Sequence, residues 1–154
     1  MEFSIEIKGS LEDVVKRIKT FLKDSKSLKT RIGVLKENNT RDDGETNAEI
    51  GYYHEFGSQK TNLPKRSWLR KPAYDGTANE KIESMELKDY FNNPIYLIAD
   101  LSDAYLEAIK EEFYTWGKGE WKDLKESTWK QKKNKNILRE TEQLFESISW
   151  GYKR

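Results

Sequence analysis

A chain of 154 residues is one domain's worth of sequence, and with 35% hydrophobic and 36% charged residues it is more polar than an average globular chain. Its 12% aromatic content, with five Trp, eight Tyr and six Phe, argues against wholesale disorder. The absence of cysteine excludes disulfides, thiolate nucleophiles and thiolate metal sites.

In chain order, Phe3, Ile5 and Ile7 alternate with polar residues, the period of a half-buried strand. No signal peptide is visible at this end, and no stretch approaches the ~20 apolar residues of a membrane span. Gly9 breaks the alternation. Ser10 and Asp13 resemble a capping pair, and Leu11, Val14, Val15, Ile18, Phe21 and Leu22 follow at helical spacing, predicting a helix over about 11–23 with its apolar stripe on a sheet. Ile32, Val34 and Leu35 predict a second strand within 29–37. Asn38 to Asn47 holds no apolar residue and reads as a mobile loop or hairpin tip. A short helix over 48–57, opened by Thr46 or Asn47 and ended by Gly57, comes next, then an extended basic loop through Pro64, Arg66, Trp68 and Arg70 to Pro72.

Residues 76–91 read as a helix of moderate quality. Asn93 and Pro94 open the longest helix, which carries Leu97, Leu101, Ala108, Ile109 and Phe113 on a broad apolar face until Gly117 and Gly119 stop it. A short helix is predicted from about Ser127 and a last one over about 139–148. The expected fold class is α+β: one domain over 1–154, in which a small, mostly antiparallel sheet packs against the N-terminal and long central helices, with a helical C-terminal segment.

The net charge of +1 is unevenly spread. Asp75 to Glu112 holds ten Asp/Glu against three Lys, a local balance of −7, and Lys118 to Arg139 holds eight Lys/Arg against three Asp/Glu, a balance of +5. Opposite patches allow neighbouring copies to attract each other head to tail, and two ordinary solvated faces are the simpler alternative.

Chemistry-bearing patterns are thin. His54-Glu55 is half of a zinc-protease pattern, but position 58 is Ser and His54 is the only histidine. A packing or hydrogen-bonding role suits it better than a metal. Carboxylates are plentiful, but no pair sits in an apolar setting that would raise one pKa, and no nucleophile elbow or phosphate-binding glycine loop is present, so the expectation is no enzyme, no cofactor and no metal. Trp121 and Trp129 beside Lys130, Lys132, Lys133 and Lys135 combine rings with positive charge, as single-strand binding requires, and they carry the alternative of a nucleic-acid-binding accessory protein.

Two stretches resemble the phage virion-morphogenesis and tail-completion proteins. Ile50-Gly51-Tyr52-Tyr53-His54-Glu55-Phe56-Gly57-Ser58, followed by Leu63-Pro64-Lys65-Arg66-Ser67-Trp68-Leu69-Arg70-Lys71-Pro72-Ala73, looks like that family's Glu-Phe-Gly-Thr/Ser, variable loop and Pro-x-Arg-Pro-Phe-Leu-Arg-x-Pro-Ala. Trp121, Leu124, Thr128, Lys132, Leu138, Thr141, Leu144, Ser147 and Ile148 resemble its C-terminal run. Ser67-Trp68 stands in place of the usual Pro-Phe, and Glu142 in place of the usual Gly. The resemblance implies a structural protomer of a ring, hexameric in expectation, that joins or terminates the tail at the head. Its motif residues are Glu55, Phe56, Gly57, Pro64, Arg66, Trp68, Arg70, Trp121, Leu124, Thr128 and Leu144, and whether they serve an interface or only the fold is open. The implied partners are copies of itself, other neck, portal-adaptor or tail-tube and terminator proteins, and packaged DNA in passing, with no membrane. The implied location is the virion, after assembly in the host cytoplasm.

Overall fold

A computed structural model of the chain describes residues 10–35, 41, 44–86, 90, 93–133, 136–139 and 141–153. The strand expected at Phe3–Ile7 and much of the 38–47 loop lie outside them. Helix α1 spans Leu11–Ser27, and the Ser10–Asp13 pair closes a full capping box at its start. Strand β1 follows at Thr30–Val34. Helix α2, Asn47–Phe56, opens on a second capping box between Thr46 and Glu49 and ends at Gly57, whose φ of 76° suits a residue without Cβ. Two short helices, α3 at Lys71–Tyr74 and α4 at Thr77–Glu83, lead to α5 at Pro94–Thr115. Pro94 sits in the first turn of α5, where its missing N–H costs nothing. Helices α6, Glu126–Gln131, and α7, Gln143–Ser147, precede strand β2 at Ile148–Tyr152.

The fold is α+β, as the patterning predicts. Among the described residues its sheet is one antiparallel pair, in which Thr30 faces Tyr152 and Val34 faces Ile148. The last helix, read as running to Ile148, ends at Ser147 instead. There the chain turns extended, because the backbone of β1 is available as a partner for Ile148 and Trp150. Helix α5 packs on both strands and α1 packs on α5. Of the α1 stripe, Phe21 is buried while Val15, Ile18 and Leu22 stay exposed.

The core gathers Trp68, Ile109, Phe113, Trp121, Ile137, Leu144 and Ile148. Phe113 of α5 is its centre, with the rings of Trp68 and Trp121 each 5.7 Å away and that of Phe145 at 5.5 Å. The 50–73 and 121–148 stretches therefore send aromatic residues into the same core.

Candidate functional site

Helix α2 has two faces with different jobs. Gly51 and Glu55, one turn apart, point inward, while Tyr52, Tyr53 and Phe56 point outward. After Gly57, a tight hairpin exchanges both backbone hydrogen bonds between Ser58 and Leu63 at 2.9 Å, which returns the chain alongside α2. The Arg66 N–H then donates to the His54 carbonyl at 2.7 Å. Residues 66–70 are thereby laid against the inward face of the helix.

Glu55, 2% exposed, anchors that return. Its Oε1 accepts from Ser67 Oγ at 2.7 Å and Arg70 Nε at 2.8 Å, and its Oε2 accepts from the backbone N–H groups of Trp68 and Leu69, both at 2.8 Å. Burial pushes this carboxyl upward, but the hydrogen bonds from Arg70, Leu69, Ser67 and Trp68 together outweigh it and hold the group below its usual range. A buried carboxylate is stable here because every donor around it is already placed.

The family-like departures at 67 and 68 have uses in this setting. Ser67 supplies a hydroxyl donor to Glu55 that proline could not, and Trp68 donates its Nε1–H to the Gly51 carbonyl at 3.0 Å, which phenylalanine could not. Gly51 makes room for this. A Cβ there would lie 2.9 Å from the Trp68 ring and 3.2 Å from Leu144. Gly51 and Ser67 stand within the first motif stretch, but neither has a role legible in the sequence, since nothing local marks a glycine beneath an indole or a serine facing a glutamate twelve residues back.

Arg66 ties the two motif stretches together. It is buried, and its fork donates from Nε and Nη2 to the Lys122 carbonyl at 3.1 and 2.9 Å. Trp121 adds a parallel link through Nε1–H to the Ser67 carbonyl at 3.1 Å. Of the sequence-derived motif residues, Glu55, Arg66, Trp68, Arg70 and Trp121 belong to this one network. Leu144 packs beside it in the core, Gly57 makes the turn that permits it, and Pro64, Leu124 and Thr128 form the wall of an adjoining cleft. Phe56 lies on the outer surface at the rim of that cleft. The Pro64–Leu69 segment thus helps to hold the fold together, and Arg66 bonds carbonyls within the chain.

His54 lines the cleft, and its Nδ1 is buried without a hydrogen-bond partner. Burial, reinforced by the positive charges of Arg66 and Lys132, lowers its pKa from 6.5 to about 4. Among the described residues no group of three or more His, Asp or Glu is placed to hold a metal ion, and no helix is long and apolar enough to cross a membrane.

The acidic and basic stretches are partly spent inside the chain. Lys71 Nζ lies 2.8 Å from Asp75, 3.4 Å from the fully buried Glu112 and 3.8 Å from Glu120. Burial raises the Glu112 carboxyl despite the nearby Lys71, while Asp75 is held well below its usual range because hydrogen bonds from Lys71 and Thr77 overcome its own desolvation. On the basic side, Trp121 is buried, Trp129 donates Nε1–H to Asp123 at 3.1 Å, and Lys130 bonds Glu126 at 2.8 Å. The tryptophan and lysine run therefore does not form a row of open ring faces.

On the outer face of α2, Tyr52, Tyr53 and Phe56 are 58, 52 and 47% exposed. Tyr52 touches both neighbours, with centroids 4.7 Å from Phe56 and 6.0 Å from Tyr53, and the Arg70 guanidinium lies 4.4 Å above the Phe56 ring. Among the described residues, Arg70 alone is stacked on this surface, and the three rings stay about half exposed. No protein-family model, curated protein or solved structure matches the chain.

Proposed function

We propose that this chain is a non-catalytic structural protomer of a tailed-phage particle, which closes with its own copies into a ring at the neck or the top of the tail. The exposed aromatic and arginine surface of α2 carries this reading. Three adjoining rings offer on the order of several hundred Å² of contact area, and aromatic residues and Arg are the groups that dominate protein contacts. A chain this polar gains nothing from leaving such a surface in water. The surface suits a protein that stays soluble until a partner covers it.

Two further features support the phage resemblance. The two family-like stretches, far apart in sequence, interlock through Arg66 and Trp121, so their residues form one constellation. Glu142, at the place where that family carries glycine, has a φ of 59°, a left-handed conformation that glycine adopts freely.

Mass spectrometry of purified virions, with a copy count per particle, tests the proposal. The expected result is a fixed low multiple per virion. Absence from particles and from their assembly intermediates removes it.

A further inference from the structure

An open cleft of about 710 Å³ lies between the end of α2, the 58–66 return, the 122–132 segment and α7. Its wall carries Arg41, Lys65, Arg66, Lys122, Lys125 and Lys132, and the carboxylate among its described residues is Asp123. Asp123 is itself occupied, since Oδ1 accepts from Trp129 Nε1 at 3.1 Å and from the Leu124 N–H at 2.7 Å. Lys65, Lys122 and Lys125 are exposed and form no ion pair among the described residues. His54 lines the same cleft with a buried ring nitrogen that nothing bonds. A concave surface with this excess of positive charge, and with a polar atom left over inside it, is built for an anionic occupant.

The same chain carries a surface of opposite sign elsewhere. Glu80 and Glu83 of α4 are exposed and have no partner among the described residues. Against α4, Glu107 and Glu111 of α5 share one cation, Lys81, at 3.8 and 3.5 Å. This acidic edge shares no residue with the cleft.

We propose that the His54 cleft receives the acidic α4 edge, Glu80 and Glu83, of a second copy of this chain. This rests on the ring reading and adds the contact that joins neighbours. Because donor edge and receptor cleft are different surfaces, the association is head to tail, and that kind of contact closes into rings. A single-stranded nucleic acid fits less well. Its bases need ring platforms, whereas Trp121 is buried, the Trp129 indole is tied to Asp123, and the cleft's exposed ring is Phe56.

The full-length protein tests this by charge exchange in sedimentation velocity, with the His54 ring signal followed by NMR as a reporter inside the cleft. Lys65→Glu with Lys122→Glu and Lys125→Glu makes the cleft acidic, and Glu80→Lys with Glu83→Lys makes the edge basic. Each variant alone should self-associate at least about tenfold more weakly than wild type. An equimolar mixture of the two should regain association, since each cleft then meets an edge of opposite sign, and the His54 signal should shift in the mixture as it does in wild type. If the acidic-cleft variant melts below wild type, Gln at the same three positions replaces Glu in the comparison.

Variants that assemble as tightly as wild type, or a mixture that stays dissociated, overturn the cleft contact while leaving the ring reading intact. A wild-type chain that is monomeric at every concentration also overturns it, and the ring reading then stands or falls by the virion copy count. Cleft variants that lose only binding to an oligo-dT probe, with association unchanged, assign the cleft to nucleic acid and overturn the proposal as well.

Discussion

Gly51 shows how two opposed local terms are decided by packing. Within a helix, alanine is favoured over glycine by up to ~1 kcal/mol, which predicts a stabilising substitution at an open site. Here the new methyl would meet Trp68 and Leu144, both core residues with little room to retreat. Overpacking of this kind costs ~1–3 kcal/mol, so Gly51→Ala should lower stability by about 1–2 kcal/mol in urea denaturation, with the slope unchanged. The Glu55 network, its neighbour His54 and the Lys71-bound Asp75 together set the acid limit. His54 titrates near 6.5 when unfolded and about 4 when folded, so the folded chain binds fewer protons in that window and loses stability as pH falls through it. Glu55, depressed from 4.5, and Asp75, depressed from 3.8, add a second loss as pH drops below those values, while Glu112, raised from 4.5 by burial, gains stability as pH falls and offsets part of the upper stage. Denaturation profiles from pH 7 to 3 should therefore decline in two stages, and His54→Gln should remove the upper stage only. An NMR titration of the one histidine that gives a folded-state pKa near 6.5 refutes the burial argument for this group. Glu55→Ala leaves the donors of Ser67, Trp68 and Leu69 without their acceptor, the buried Trp68 N–H among them, and should cost ~1–3 kcal/mol by the same denaturation assay.

Among the elements, α2 and α7 differ in how far local signals specify them. Helix α2 carries its own start and stop, a capping box at Thr46–Glu49 and a positive-φ glycine at 57, so its bounds follow from a few residues. Helix α7 does not. Glu142 enters it at φ 59°, held by Arg139 Nε at 2.8 Å from its carboxylate. The left-handed backbone costs a non-glycine residue ~1–2 kcal/mol, whereas a partly exposed ion pair returns ~0.2–1 kcal/mol. Glu142→Gly should thus stabilise the protein by roughly 0.5–1 kcal/mol, a rise of a few degrees in Tm by calorimetry. An unchanged or lower Tm means the Arg139 contact outweighs the backbone term. At its other end α7 stops because Ile148 pairs with Val34. That strand partner is remote in sequence, and Leu144, Ser147 and Ile148 satisfy a helical period equally well, so the strand is invisible locally.

For the molecule as a whole, the aromatic surface and the interior network are separable, although both come from the same ten-residue helix. Tyr52→Ser with Phe56→Ser removes exposed rings and the Arg70 stacking contact but leaves Glu55 and Trp68 in place. Monomer stability should change by less than ~1 kcal/mol while self-association, read by sedimentation velocity, is lost. Association that survives this pair of changes removes the α2 rings from the interface and leaves the cleft contact to carry it. The net charge balance of the two stretches is a weaker guide, because Lys71, Lys118 and Lys81 neutralise acidic residues inside the protomer. What the residues determine by themselves is the α+β class, the long Pro94 helix, the Ser10–Asp13 cap and Gly57 as a helix end, since each depends on backbone terms and periodicity within one or two turns. The tertiary structure alone decided that Glu55 serves the fold, that Arg66 bonds Lys122, that β2 exists and that Trp121 is covered while Tyr52 is not. Those outcomes depend on which surfaces meet across long stretches of chain, and the hydrogen-bonding capacity of a side chain does not name its partner until packing brings one within about 3 Å.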